Sequence, residues 1–334
     1  MQNKKRVMSG MRPNGRLHLG HYLGVLQNWK ELQNDYECYF SVADWHALTT
    51  GSKNEQLKEN VLNVVIDWLA CGINPEKATI YVQSSVPEIA ELNLYLSMLA
   101  PKNWIERDAA IKSKIKYFNS TKRQNSQISF GLMGYPVLMS ADIMAVNAHY
   151  VPVGAYHVPE VELTRDMVRK FNKVYNIDYF VEPQPMLNNC SLLCGVDGKK
   201  MGKSYNNAIN LCDTEEITAK KIMQCITDRS RVKKDAIGHT NKCEVAFRYW
   251  EIFGADEEIK NIKSECEAGE RGCADCKKQL AKKVNEALAE IREKRKYYES
   301  YLDEVHDVLH SGAEKSRAIT RKIVEDVRNI VGIY

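Results

Sequence analysis

The first ninety residues alternate between strand-like and helix-like stretches, and this order constrains the fold more than any other feature. Three short runs, at 6–9, 37–43 and 78–82, have the apolar and aromatic content of buried strands. Two stretches with helical spacing of apolar residues, about 20–32 and 54–69, separate them. Strands that alternate with helices form parallel sheets with right-handed crossovers, so the sequence predicts an α/β fold.

The rest of the chain is predicted to be mainly helical. Residues 86–140 indicate a helical insertion, 150–154 a further strand and turn, and nearly everything after 206 an all-helical region. We therefore expect an α/β domain at 1–206 and a helical domain at 207–334. No apolar run approaches the ~18–20 residues of a membrane helix, and the start lacks a secretory signal, so we expect a cytoplasmic protein without a membrane partner.

Four of the ten cysteines are clustered late in the chain, and they predict a metal site. Cys243, Cys266, Cys273 and Cys276 fall within 34 positions, and the last two form a Cys-x-x-Cys pair. In a reducing compartment, thiols at this density indicate metal or redox use rather than disulfides. Four thiolates complete either a tetrahedral zinc site or a [4Fe–4S] cluster, and the residues alone leave both open.

The loop after the first strand is a candidate phosphate site. It reads SGMRPNGRLHLGH at 9–21 and leads into the first predicted helix. Unpaired N–H groups at a helix start attract anions, and His18 and His21 lie three residues apart, so both imidazoles can donate to the same phosphate. Gly20 and Gly24 allow close approach of the backbone to a nucleotide. The loop matches neither the dinucleotide-binding glycine pattern nor a Walker loop.

A second loop, GKKMGKSY at 198–205, carries a lysine cluster between the α/β region and the helical region. Alone, such a cluster is typical of solvated surface. A mobile loop with Lys200 and Lys203 could instead close on a triphosphate and stabilise the charge of departing pyrophosphate.

Together the two loops resemble the signature motifs of class I aminoacyl-tRNA synthetases. HLGH at 18–21 is similar to the HIGH element, and KMGKS at 200–204 is similar to KMSKS, with Gly202 in place of a serine. Over nearly the whole chain the sequence resembles the bacterial tryptophanyl-tRNA synthetases. The stretches that carry this closer resemblance are residues 9–15, 43–49, 137–143, 151–154, 162–166 and 312–315.

The resemblance implies a Rossmann-like catalytic domain, an all-α anticodon-binding domain and a homodimer. It implies that L-tryptophan is activated with Mg²⁺-ATP and then transferred to tRNA(Trp). The catalytic residues that it implies are His18, His21, Lys200, Lys203 and Ser204. The residues that it implies for ATP are Gly10, Met11, Arg12, Asn14, Gly20, His21, Gly24, Gly154, Leu192, Lys200, Met201 and Lys203. The residues that it implies for tryptophan are Met8, His46, Tyr135, Met139, Asp142, Val151, Val153 and His157.

Asp142 is implied to accept the indole N–H of tryptophan. A buried acceptor strongly penalises phenylalanine, which would leave that acceptor unpaired. A tyrosine hydroxyl is also a donor, so pocket width must exclude tyrosine. From spacing alone, Asp142 is better interpreted as a helix N-cap.

The cysteine spacing resembles that of a subset of tryptophanyl-tRNA synthetases with a [4Fe–4S] cluster in the anticodon-binding region. The resemblance therefore favours an iron–sulfur cluster over zinc at Cys243, Cys266, Cys273 and Cys276. A structural role near the tRNA anticodon is expected.

The chain departs from the family after VPVG at 151–154, where AYH at 155–157 replaces the usual Glu-Asp-Gln. In the family this segment helps hold the ATP ribose and the substrate ammonium, so acceptors for a cation are lost. One hypothesis is that His157 with Glu160 or Glu162 compensates, and the other is a specialised second synthetase. Rival functions are a tyrosine-specific synthetase, a degenerate RNA-binding paralogue and an iron–sulfur oxidoreductase.

Overall fold

A five-stranded sheet lies at the centre of the computed structural model, which describes residues 4–49, 55–107, 111–112, 128–187, 193–202, 205–233 and 236–333. All of its strand pairs are parallel. In chain order the strands are β1 (Arg6–Met11), β2 (Glu37–Val42), β3 (Ala78–Val82), β4 (Tyr150–Val153) and β5 (Gln184–Leu187). In space their order is β3-β2-β1-β4-β5.

The predicted βαβαβ order is confirmed. The strand order also indicates where a ligand can bind. β2 and β3 lie on one side of β1, whereas β4 and β5 lie on the other. Such a reversal of strand order opens a crevice at the carboxyl ends of the strands, where α/β proteins bind ligands. β5 escaped prediction because it has only four residues and includes Pro185.

Helices follow the first four strands. The predicted helix at 20–32 is interrupted by a π-helical turn at Tyr22–Leu26, which apolar spacing cannot reveal. The predicted face of the next helix is buried through Val61, Val64, Val65 and Trp68. These helices are α1 (Leu19–His21), α2 (Gln27–Asp35), α3 (Asp44–Leu48), α4 (Leu57–Ala70), α5 (Glu88–Leu99), α6 (Lys102–Arg107), α7 (Phe130–Ala145) and α8 (Val158–Tyr175).

The C-terminal region is helical, as expected. Two of its helices are long, with 28 and 30 residues. The helices of this region are α9 (Glu215–Met223), α10 (Ala246–Phe253), α11 (Asp256–Glu267), α12 (Cys273–Ser300) and α13 (Leu302–Val331). Within the described ranges no helix is both long and apolar enough to cross a bilayer.

Apolar side chains fill both faces of the sheet, because successive strand residues point to opposite sides. In β2, Phe40 joins one cluster, where it stacks on Trp29 with ring centroids 4.2 Å apart. Tyr39 joins the other cluster with Tyr81 and Phe171. The two-sided burial fixes the register of the strands, and thereby the level at which each of them ends.

The two long C-terminal helices pack directly against the α/β region. A Cβ on Gly312 of α13 would lie 1.7 Å from the carbonyl oxygen of Ile80, so only glycine allows this contact with β3. On α12, the buried Arg295 pairs with the fully buried Asp67 of α4. Asp67 also accepts a hydrogen bond from the backbone N–H of Leu17, 3.1 Å away. Helix α12 therefore helps to position the chain immediately before His18.

Candidate active site

The first motif lies at the carboxyl end of β1, on the one-turn helix α1. The backbone N–H of His18 donates to Nδ1 of His21 over 3.2 Å, and the two ring centroids are 3.8 Å apart. His18 is buried and His21 is half-buried. The two imidazoles therefore share one space, as three-residue spacing at a helix start predicts.

The structure brings the second motif against the first. The backbone N–H of Leu19 donates to the carbonyl of Ile209 over 2.9 Å, and that of Leu211 donates to Leu17 over 2.9 Å. A Cβ on Gly20 would lie 3.0 Å from the His18 ring and 3.8 Å from the Met201 sulfur. Two stretches about 180 residues apart in sequence thus meet at one end of the sheet.

A buried side chain that the sequence did not single out holds the lysine loop. The amide of Asn207 donates to the Lys200 carbonyl over 3.1 Å and to the Asp197 carboxylate over 2.7 Å. Its oxygen accepts from the Gly202 N–H over 2.9 Å. Lys200 itself is exposed. Asn207 positions the loop backbone while leaving the ammonium group in solvent.

Several other residues implied for ATP lie at the carboxyl ends of β1 and β4. The guanidinium of Arg12 lies over the Tyr135 ring, 5.7 Å from its centroid, and burial lowers the pKa of Arg12. A Cβ on Gly10 would lie 2.9 Å from the Ser41 hydroxyl, so β1 and β2 are in close contact there. Met11 is half-buried and Asn14 is exposed. A Cβ added to Gly24 or to Gly154 would meet no atom within 4 Å. Leu192, Lys203 and Ser204 lie outside the described residues.

Asp142 lies in the centre of a buried hydrogen-bond network. Its side chain is 5% exposed, and its two oxygens accept from Nε2 of Gln83 over 2.7 and 2.9 Å. Nε2 of His46 lies 2.9 Å from the same carboxylate. Asp142 belongs to the last turn of α7, so the N-cap interpretation is wrong.

Gln83 is a site residue that sequence reasoning missed. It is fully buried in a 3₁₀ turn immediately after β3, and its oxygen accepts from the Trp45 N–H over 3.1 Å. That bond fixes which way the amide points and therefore aims its NH₂ group at Asp142. Its place directly after the third predicted strand was the available signal, because carboxyl ends of parallel strands share one edge.

Apolar residues form a wall beside Asp142. Met8 and Val151 are buried members of one cluster, and Met139 and Val153 pack against it. The rings of His46 and Tyr135 meet edge to face with centroids 6.3 Å apart. These residues belong to four separate elements, so the fold brings together the residues implied for tryptophan, with the exception of His157.

His157 lies in the 3₁₀ turn after β4 that replaces the usual segment. Its side chain is 54% exposed, and Nδ1 lies 3.4 Å from Oε1 of Glu160. Glu160 is 4% exposed, whereas the Glu162 carboxylate points to Arg165 at 2.8 Å. Of the two acceptors considered for compensation, only Glu160 is buried.

The four clustered cysteines line one small cavity. Cys273 is the first residue of α12 and Cys276 its fourth, while Cys266 lies in the last turn of α11 and Cys243 precedes α10. Burial raises the pKa of the Cys243 thiol to about 11. Across the described ranges, no group of three or more His, Cys, Asp or Glu side chains could hold a metal ion.

Donors surround these thiols. Nη1 of Arg231 lies 3.9 Å from Cys266 Sγ and 4.0 Å from Cys273 Sγ. The indole N–H of Trp250 donates to Cys276 Sγ over 3.2 Å. Arg271 lines the same cavity. Burial also raises the pKa of the Cys266 and Cys276 thiols, and Arg231 and the Trp250 N–H offset part of that effect.

Comparisons with known proteins agree with this geometry. The family model for class I tRNA synthetases (W and Y) matches residues 1–289. The chain is 40% identical to the tryptophan–tRNA ligase of Thermotoga maritima, over 98% of this chain and 99% of that protein. It is 36% identical to that of Aquifex aeolicus, over 98% and 100%.

Solved structures agree as well. The tryptophanyl-tRNA synthetase of Campylobacter jejuni, complexed with ADP and tryptophan, superposes with a TM-score of 0.89 at 30% identity. That match covers 98% of this chain and 100% of the other. A tyrosyl-tRNA synthetase from Archaeoglobus fulgidus, at 19% identity and a TM-score of 0.65, shares the fold alone. The chain belongs to the class I aminoacyl-tRNA synthetases, among the bacterial tryptophanyl-tRNA synthetases.

Proposed function

We propose that this chain activates L-tryptophan with ATP to tryptophanyl-adenylate and transfers the tryptophanyl group to tRNA(Trp), releasing pyrophosphate and AMP. The observation that carries the proposal is the buried Asp142, held by Gln83 and His46 beside an apolar wall. The crevice that contains it also contains the junction of the two signature motifs. We propose that the enzyme works in the cytoplasm, where both of its substrates ATP and tRNA are present.

Activation requires the tryptophan carboxylate to attack the α-phosphate of Mg²⁺-ATP while pyrophosphate leaves. No covalent enzyme intermediate is needed, so catalysis consists of positioning and electrostatic stabilisation. In this proposal His18 and His21 donate to the phosphates from α1, while Lys200, Lys203 and Ser204 stabilise the leaving pyrophosphate. The contact of Met201 with Gly20 supports a single nucleotide site for both motifs.

Asp142 supplies selectivity in this proposal. An ionised carboxylate has about four lone-pair directions, and Gln83 and His46 do not use all of them. The remaining direction can accept an indole N–H, and a substrate without that donor leaves a buried acceptor unsatisfied. The tyrosine-specific alternative has no equivalent support, because the likeness to the tyrosyl-tRNA synthetase of Archaeoglobus fulgidus, at 19% identity, extends to the fold only.

The direct test is ATP–pyrophosphate exchange across all twenty amino acids, followed by charging of purified tRNA. We expect exchange with tryptophan far above that with tyrosine or phenylalanine. Exchange that prefers tyrosine would establish the tyrosine-specific alternative. Tight tRNA binding without exchange for any amino acid would establish the degenerate RNA-binding alternative.

We further propose that Cys243, Cys266, Cys273 and Cys276 hold a [4Fe–4S] cluster with a structural role. Support comes from four thiols around one cavity, with Arg231 and the Trp250 N–H available to offset thiolate charge. When bound, the cluster would supply four metal–thiolate bonds linking α10, α11 and α12.

Anaerobic purification followed by iron, sulfide and zinc analysis tests this site. We expect about four iron and four sulfide per chain, and a lower melting temperature for Cys276→Ser. Stoichiometric zinc without sulfide would establish the zinc alternative. Cys71 is a buried cysteine at the C-terminal end of α4, outside the cluster of four. Cys71→Ser is the control for the loss of any one thiol, and it should leave the iron content unchanged.

We also propose that the chain forms a homodimer through the apolar groove between α5, α6 and α7. The groove has a volume of about 810 Å³ and includes Trp45, Ile105 and Phe130. Phe130 is 87% exposed and the nearby Met98 of α5 is 77% exposed, which is unusual for large apolar side chains. Light scattering should give twice the chain mass, and Phe130→Asp should give one chain mass.

A further inference from the structure

The side chain of Glu160 is a buried carboxylate near the candidate active site. Its side chain is 4% exposed, yet Oε2 has no hydrogen-bond partner among the residues that the structure describes. Its other oxygen, Oε1, lies 3.4 Å from Nδ1 of the partly exposed His157. A buried carboxylate with an unused oxygen is costly unless a cation or a donor completes it.

The packing of α7 against α8 places Glu160 at the level of the substrate site. The carboxy-terminal ends of the two helices lie together, because Asn147 after α7 accepts from the Val181 N–H after α8, 2.9 Å away. The two helices run in the same direction, because α7 leads into β4 and α8 leads into the parallel neighbour β5. A step toward either amino terminus therefore leads to the carboxyl edge of the sheet.

A pair of buried hydroxyls fixes the register between these helices. Ser140 and Thr164 bond to each other over 3.0 Å. Each also donates to the carbonyl four residues earlier, Ser140 to Pro136 and Thr164 to Glu160, both over 3.1 Å. Glu160 consequently lies beside the turn of α7 that contains Tyr135, the residue that contacts both His46 and Arg12.

Two other carboxylates near the site, Asp142 and Asp44, already accept hydrogen bonds from the protein. Asp142 accepts from Gln83 and faces His46, and Asp44 accepts from the Ser84 N–H over 3.0 Å. The amino-acid substrate brings one cation, its α-ammonium group, at the end of the molecule opposite the indole nitrogen. Among the residues that the structure describes, Glu160 is a buried acid at that level with a whole oxygen, Oε2, left without a donor.

We propose that Glu160 binds the α-ammonium group of the amino-acid substrate, with His157 as a positioning residue that holds Oε1. This inference rests on the proposed function. Glu160 would take the place of the acceptors that are lost where Ala-Tyr-His at 155–157 replaces the usual Glu-Asp-Gln. Oε2 accepts from the ammonium group, and the resulting ion pair satisfies both buried charges.

The test compares Glu160→Gln with the unchanged enzyme in ATP–pyrophosphate exchange and uses two analogues as competitive inhibitors. Tryptamine keeps the ammonium group but lacks the carboxylate, and indole-3-propionate keeps the carboxylate but lacks the ammonium group. We expect Glu160→Gln to raise the KM for tryptophan and the Ki for tryptamine by ~10–100-fold, and to change the Ki for indole-3-propionate less than twofold. His157→Ala should raise the same KM by ~3–5-fold.

Asp166→Asn is the matched control, because Asp166 lies on the same helix and pairs with Arg169 at the surface. Equal weakening of both analogues by Glu160→Gln would indicate a structural role and overturn the inference. An unchanged KM for tryptophan in Glu160→Gln, or a rise in Glu162→Gln instead, would also overturn it. Failure of the unchanged enzyme to use tryptophan would refute the proposed function, which separates the two claims.

Discussion

The residues proposed for tryptophan and those proposed for ATP are held in different ways. On the tryptophan side, Asp142, Gln83 and His46 are buried and hydrogen-bonded to one another. On the ATP side, Lys200 is exposed, and a Cβ on Gly24 would meet open space. In the proposed function, selection therefore depends on groups fixed before binding, whereas charge stabilisation depends on an exposed lysine in a loop that Asn207 and the buried Met201 hold.

Removal of Lys200 should give the largest effect, because the phosphate side acts on the transition state. We expect Lys200→Ala to lower kcat for pyrophosphate exchange by ~10²–10³-fold, as loss of one electrostatic donor does elsewhere. The KM for tryptophan should change less than threefold. The neighbouring exposed Lys199 offers the control, since Lys199→Ala should change kcat less than threefold. Equal effects of the two substitutions would show that position within the loop has no importance.

Asp142→Asn should give the next largest effect, and it should fall on selectivity. Loss of the charged acceptor should lower kcat/KM for tryptophan by ~10–100-fold. The enzyme should remain folded, because an amide at 142 keeps one oxygen acceptor for Gln83. Steady-state exchange and thermal melting measure the two quantities. A kcat/KM within twofold of the unchanged enzyme would contradict the role of Asp142.

Gln83→Leu tests whether the fixed orientation of Asp142 contributes to binding. We expect the KM for tryptophan to rise by ~3–10-fold, because Asp142 loses a donor of about 1 kcal/mol. Gln33→Leu is the matched control. Gln33 is also a buried glutamine, but it bonds to the Gly72 carbonyl and the Asn74 N–H away from the site. Gln33→Leu should therefore lower stability without a change in KM.

The smallest effect concerns the pH dependence of the lysine loop. The hydrogen bond from Asn207 lowers the pKa of Asp197 below its ordinary value of 3.8. Because the folded-state pKa is lowered, this contribution to stability is present above pH 3.8 and is lost as the pH falls below it. The difference in the free energy of unfolding, measured with denaturant, between the unchanged protein and Asn207→Ala should be constant above pH 3.8 and should narrow as the pH falls below it, while the part due to the Lys200 and Gly202 bonds remains. A constant difference would show that Asp197 does not participate.

The sequence predicts the elements that have strong patterns. The strands β1 to β3 and the two long C-terminal helices follow from apolar runs and periodicity, and those patterns persist in the structure. β5 could not be predicted, because four residues with a proline carry almost no pattern and are held by pairing with β4. Tertiary pairing is a property of distant residues, which local propensity does not describe.

The candidate site shows the same division. His18, His21 and Lys200 stand in motifs, so the sequence identifies them. Gln83 and Asn207 are single amides without a motif, and they matter because the fold brings a buried acid or a loop backbone to them. Polar residues that satisfy other buried groups become visible only when hydrogen bonds can be counted in three dimensions.

The central claim is that Asp142 recognises the indole N–H rather than the outline of the ring. The most direct measurement compares kcat/KM for tryptophan with that for β-(benzothiophen-3-yl)alanine, which has sulfur in place of the N–H group, in the unchanged enzyme and in Asp142→Asn. The account predicts that the unchanged enzyme prefers tryptophan by at least ~10²-fold and that the substitution reduces this ratio at least tenfold. A ratio that is the same in both proteins would contradict it.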